Sequence, residues 1–185
     1  FIDDRFVETR KSMIDQAMRE DGVNFICLWI DRPDGSTAAV SGFADFLSKL
    51  DTKDVRTVAY IPTMARGVIP LIALACDDVV MHPDALLGGK TDFLSNEERS
   101  DILAVVNDNI VPLKMRNRAL TDAMFTSDTA VYVFRNRQSG ALQYLTESDW
   151  KGLPQKEQWD REAKITTDGQ SLQLNGEQAE DVGVA

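Results

Sequence analysis

Val58-Ala59-Tyr60-Ile61 is a short apolar run that predicts a strand, and Pro62 closes it. Thr63 to Gly67 carries turn chemistry. Leu71 to Cys76 is apolar with almost no polar stripe, the pattern of a helix buried all round. Val79-Val80-Met81 predicts a second strand, ended by His82-Pro83-Asp84, and Gly88-Gly89 closes the unit. Strand, loop, helix and strand in this length make a βαβ unit. Its chemistry is expected at the helix N-terminus, around Arg66-Gly67-Val68. A glycine there permits tight turning, and backbone N–H groups point outward.

The same reading extends along the chain. Asp3 or Asp4 caps a first helix with Phe6, Val7, Met13, Ile14, Ala17 and Met18 near one face, ended at Gly22. Asn24 to Ile30 is continuously apolar and predicts a central strand buried on both sides. Asp31 to Ser36 is a loop. Ser36 or Thr37 then caps a helix carrying Val40, Phe43, Phe46, Leu47 and Leu50 inward. Helices alternating with strands predict a mostly parallel sheet covered on both faces, with ligands outside the carboxyl ends of the strands. The loops 31–36 and 62–68 are therefore the candidate sites. Ser95 with Glu98 forms a capping box opening a long helix with Ile102, Leu103, Val106, Ile110 and Leu113 inward. Pro112 predicts a kink near 109–112, with helix resuming through Met124. Runs 129–134 and 141–145 predict a β-hairpin. Val131, Val133, Ala141 and Leu145 would form one face of it, and Tyr132, Phe134 and Tyr144 the other. Residues 152–164 show no clear period. A short strand at 171–174 and a last helix from Gly176 complete the chain.

A chain of 185 residues, 43% of them hydrophobic, predicts one domain with a full core. Its net charge of -10 argues against nucleic acid and against anionic membrane surfaces. No apolar run approaches the ~18 residues needed to span a bilayer. A start at Phe1 leads us to expect a piece of a longer protein, with any anchor outside it. Cys27 and Cys76 read as buried free thiols. Two cysteines and one histidine without a CxxC pair make a metal site unexpected, and no cofactor is implied.

Several stretches together resemble a known family. They are Asp31-Arg32-Pro33-Asp34-Gly35-Ser36, then Ala65-Arg66-Gly67, then LIALACDDVVMHPDALLGG, and the ending LQLNGEQAEDVGVA. In that order they resemble the ClpP-like domain of the NfeD proteins, membrane-associated relatives of signal peptide peptidase A. The resemblance implies an α/β fold of the ClpP/crotonase kind, with residues 128–168 and their hairpin as an insertion in a single domain 1–185. It also implies a homo-oligomer, possible membrane-protein partners, and an extracytoplasmic rather than cytoplasmic location.

The active family opens the buried helix with a serine, and that position here is Gly67. Its oxyanion-hole loop carries two glycines, the first replaced here by Asp34, whose charge would oppose a developing oxyanion. Its lysine base belongs near the start of the long helix, which here reads Asn96-Glu97-Glu98-Arg99. Lys90 lies upstream and Lys114 several turns downstream. Asp34, Gly35, Gly67 and Val68 are thus expected to form a degenerate oxyanion-hole region with no catalytic residue. Thr63 reads as a capping or solvated hydroxyl, Ser36 as an N-cap, His82 as structural and Asp77-Asp78 as a polar turn. Asp31 and Asp34 read as a solvated acidic loop rather than an acid/base pair. Trp150 and Trp159 are expected to pack down the insertion. The favoured reading is a non-catalytic ClpP-fold assembly module. The alternatives are a serine peptidase with an unidentified nucleophile, and a crotonase-like acyl-CoA-binding enzyme, since GVIPLIALACDD is also similar to the crotonase pattern.

Overall fold

The computed structural model describes residues 1–31 and 34–185. Asp3 caps the first helix, Asp4–Glu20 (α1), accepting a hydrogen bond from the Phe6 N–H at 2.8 Å. Phe25–Trp29 (β1), Arg56–Ile61 (β2) and Asp78–Met81 (β4) form a parallel sheet in the order β1-β2-β4. Between them run Thr37–Ser48 (α2), the two-residue strand Met64–Ala65 (β3) and Pro70–Leu74 (α3). Leu86–Gly88 (β5) pairs in parallel with β3 and antiparallel with Gln173–Asn175 (β9). Every residue of α3 is buried, which its lack of polar side chains dictates.

The strand at 25–29 corrects the sequence reading. It is an edge strand, and the sheet is covered by helices on one face only. Ile26 and Leu28 pack toward the core, with Ala59, Ile61 and Val79 behind them. Phe25, Cys27 and Trp29 point the other way and are exposed. A continuous apolar run reads as two-sided burial, but here its second face meets no helix of the described chain. The expectation of a buried Cys27 fails for the same reason, whereas Cys76 is buried as expected.

The capping box opens Asn96–Val105 (α4) with both reciprocal bonds formed. Ahead of Pro112 the helix widens into a π-helical turn, Val106–Ile110, before Val111–Lys114 (α5). That is the predicted kink, since proline offers no N–H to the preceding turn. Ile102, Val106 and Ile110 are buried as expected, while Phe6, Met13 and Leu113 face solvent. Asn117 then caps Arg118–Phe125 (α6).

The hairpin Val131–Asn136 (β6) and Leu142–Thr146 (β7) forms as predicted, but it is not isolated. Trp159–Lys164 (β8), in a segment read as irregular, pairs with the other edge of β6. The expected sorting of faces also changes. The register sets Tyr144 opposite Val133, not beside Tyr132 and Phe134. Glu147–Lys151 (α7) folds back so that Trp150 stacks on Phe134, with ring centroids 5.5 Å apart. Arg161 lies over the Tyr132 ring at 4.8 Å. The aromatic face is covered within the chain, so it offers no patch for self-association. Gly176–Asp181 (α8) ends the fold, capped by Asn175.

Candidate functional site

The two loops singled out from the sequence both follow strands of the parallel sheet and meet at its carboxyl end. Thr63 Oγ1 donates to the Asp31 carboxylate. Asp34, Gly35 and Ser36 make their contacts elsewhere. Asp34 is exposed, and its carbonyl accepts from the Ile2 N–H at 3.4 Å. Ser36 donates its N–H to the Ile2 carbonyl at 2.8 Å and caps α2 by accepting from the Ala39 N–H at 3.3 Å. Gly35 pairs with Ile2, and a Cβ on it would lie 3.1 Å from the Ile2 Cβ and 2.6 Å from a Val40 methyl. Glycine at 35 therefore serves close packing. Arg32 and Pro33 of this loop lie outside the described residues.

At the head of α3, Pro70 occupies the first turn, where no N–H is needed. Gly67 precedes it with φ +64°, a left-handed conformation that disfavours a side chain. Its N–H donates to the Gly89 carbonyl at 3.0 Å. The Phe93 ring closes over it, and a Cβ at this position would come within 3.2 and 3.3 Å of ring atoms. Gly67 and Val68 are both buried. Among the described residues, no hydrogen bond joins Asp34 or Gly35 to Gly67 or Val68.

The lysines separate clearly. Lys114 is buried at the opposite, amino end of the sheet, with its side chain only 3% exposed. It donates to Asp77 Oδ1 at 2.7 Å and to the Leu50 carbonyl at 3.3 Å. A base for Gly67 cannot come from there. Lys90 is exposed, and its backbone carbonyl lies 3.7 Å from where a Gly67 Cβ would stand. Beside it, Arg66 donates through Nη2 to Gln173 Oε1 at 3.0 Å, while its Nε is buried without a partner.

Asp77, read from the sequence as part of a polar turn, stands in the bend before β4 and is also a half-buried hub of hydrogen bonds. It accepts from the Thr57 N–H and hydroxyl at 2.7 and 2.8 Å, from Thr52 at 2.8 Å, and from Lys114. Burial alone would raise its carboxyl, but the bonds from Lys114, Thr57 and Thr52 outweigh it and bring it down to about 2. Arg116 threads the same region and donates to the carbonyls of Leu74 at 3.2 Å and Cys76 at 2.8 Å. Burial pushes the Cys76 thiol up to about 12, so it stays a protonated packing group. His82 sits at a strand exit, and its Nδ1 accepts from the Asp84 N–H at 3.3 Å.

Sequence reasoning named Arg66 but not its partner Gln173, and it missed Phe93 and the Asp77–Lys114–Arg116 cluster. Arg66 and Gln173 are 107 positions apart, and no local spacing announces their contact.

Two solved structures are similar to this chain in overall fold. Both are of 1510-N, a membrane-bound stomatin-specific protease, as two mutants, one in complex with a substrate peptide. They match at TM-scores of 0.60 and 0.59, each with 15% identity over 99% of this chain, covering 68% and 72% of theirs. The fold is that of ClpP-like serine proteases. No family model matches the sequence, and no curated protein matches it. At this identity the likeness fixes the ClpP-like architecture alone.

Proposed function

We propose that this chain is an NfeD-like, serine-peptidase-related domain that has lost catalysis and acts as an assembly module of a membrane-associated protein. The observation that carries the reading is Gly67. Gly67 carries no hydroxyl, its N–H is held by the Gly89 carbonyl, and a Cβ there would press on the Phe93 ring at 3.2 Å. A Ser–Lys dyad needs both groups within hydrogen-bond reach, and Lys114 is committed to Asp77. The acyl-CoA alternative loses one oxyanion-hole donor on the same ground, because the Gly67 N–H is held by the Gly89 carbonyl. Association with a membrane is supported by the membrane-bound character of the two structural neighbours. No described helix is long and apolar enough to cross a bilayer, so that contact would run through parts outside these residues.

A second reading, a residual hydrolase, is favoured by the Thr63 hydroxyl bonded to Asp31, since a carboxylate can act as a general base. One experiment separates the two. A fluorophosphonate probe applied to the domain, with adducts mapped by mass spectrometry, should label nothing. Gly67→Ser should also remain unlabelled, because the new side chain has no lysine partner. An adduct on Thr63, or stoichiometric labelling of any serine, overturns the non-catalytic reading.

A further inference from the structure

The head of α3 is closed by a short segment, residues 88–93, that leads from the end of β5 towards the Ser95 cap of α4. Its two ends are fixed. Just before it, the Leu86 N–H donates to the Thr63 carbonyl at 2.9 Å, and Leu87 is fully buried. In the turn that ends it, the Leu94 N–H donates to the Thr91 carbonyl at 3.0 Å, and Leu94 is again buried. Strand pairing with β3 stops at Ala65 and Leu87. Beyond that point the Gly67 N–H reaches the Gly89 carbonyl at 3.0 Å, and the Phe93 ring lies against Gly67.

Between its fixed ends the segment carries several costs. Lys90 holds φ +58°, a left-handed conformation in which its Cβ crowds the backbone. It follows Gly88 and Gly89 at +88° and +76°, so three successive residues are left-handed. Thr91 is 1% exposed, yet its hydroxyl has no hydrogen-bond partner among the described residues. Arg66 Nε is buried in the same state. Its guanidinium bonds Gln173 Oε1, the atom that a Cβ on Gly89 would meet at 2.9 Å. Both polar groups lose water in this arrangement and gain no bond for it. Phe93 covers Gly67 but leaves 64% of its own surface in water, so little apolar burial holds it down.

Backbone outliers of this kind persist where the surrounding fold imposes them, and they cluster in switch regions. Here one outlier, two unpartnered polar groups and a mostly exposed aromatic fall together, next to the candidate site. We propose that residues 88–93 form a strap that opens and recloses over the head of α3. Opening sets the Gly67 N–H free and returns water to Thr91 and Arg66. While the strap is closed, any outside carbonyl reaching that N–H has first to displace the strap's own. The gate stands whether or not the head of α3 is catalytic.

The test is backbone hydrogen exchange of the isotope-labelled chain, read residue by residue by NMR, in water and in urea well below the unfolding transition. Local opening is insensitive to such urea, whereas larger unfolding responds to it. The Gly67 N–H should be protected about 100-fold less than the Ala75 N–H, which donates to the Leu71 carbonyl at 3.0 Å, and its exchange should ignore the urea. Ile69 and Leu71, whose N–H groups donate to the Arg66 and Val68 carbonyls at 3.2 Å, should keep more protection than Gly67. Phe93→Ala, at a mostly exposed position, should lower the Gly67 protection a further five-fold or so and leave Ala75 unchanged. Lys90→Gly should raise it about three-fold, since glycine takes this conformation without steric cost. Protection of Gly67 equal to that of Ala75 overturns the proposal. So does release of Ile69 and Leu71 together with Gly67, which is fraying of the helix head rather than opening of a strap. A Gly67 protection that either variant leaves unmoved overturns it too.

Discussion

At the scale of single residues, Asp77 and Lys114 set a clear pH dependence. An unfolded aspartate titrates near ~3.9, whereas Asp77 in the fold is brought down to about 2. A lowered folded value means the stabilisation is fully present above the unfolded value and is lost as pH falls through the folded one. The shift corresponds to about 2 kcal/mol, present at neutral pH and disappearing between roughly pH 4 and 2. Lys114→Met strands a carboxylate whose side chain is 10% exposed, so it should cost about 3–5 kcal/mol at pH 7. Urea unfolding of parent and variant across this range should show the gap narrowing as pH falls. A gap that stays constant from pH 5 to 2 would show that Asp77 does not titrate as described. The residues legible in the sequence were those whose partners sit within one turn: Asp3, Ser36, and Ser95 with Glu98. Asp77 and Lys114 are 37 positions apart, and a lysine after a helix reads as an ordinary solvated cation until the fold brings it against the start of β4.

At the scale of elements, the capping box does more than open α4. Glu98 accepts from the Ser95 N–H through one oxygen and from Thr37 through the other, so one carboxylate joins the starts of α2 and α4. Ser95→Ala should cost about 1 kcal/mol, the worth of an N-cap. Thr37→Val should cost less. The double variant should depart from additivity by about 0.5 kcal/mol or more, because both changes loosen the same carboxylate. Thermal or urea denaturation of the four proteins measures this, and strict additivity would mean that the two helix starts are energetically independent. The helices and the inner strands were legible because their apolar positions follow a period, and Pro112 foretold the π-helical turn. β8 was not legible. It runs Trp-Asp-Arg-Glu-Ala-Lys with all but its first residue exposed, so no apolar alternation marks it. It is held by β6 through backbone pairing and by ion pairs such as Arg137–Asp160, which depend on a partner strand more than 20 residues away.

At the scale of the whole molecule, we propose the open face of the parallel sheet, in place of the hairpin, as a surface for self-association. Phe25, Trp29 and Val80 are 55%, 70% and 48% exposed, and Trp29 packs edge-on against Tyr60 with ring centroids 5.0 Å apart. The register places Trp29, Tyr60 and Val80 in one row across three strands. Contiguous exposed apolar surface of this kind marks contact sites, and β1 adds an unpaired strand edge. A second copy is the proposed occupant, because the patch is nearly neutral while the rest of the chain is strongly acidic. That charge makes the prediction directional. Two chains of net charge -10 repel each other at long range, and salt screens that repulsion while leaving apolar contact intact. Light scattering should therefore show a species larger than 20.6 kDa whose share grows as salt is raised from low to physiological strength. An interface held by ion pairs would respond in the opposite sense. Trp29→Ser should move the population toward monomer without unfolding, because the side chain it removes is already mostly in water. A strict monomer at high protein and salt concentration, or an oligomer indifferent to Trp29→Ser, would detach this face from assembly.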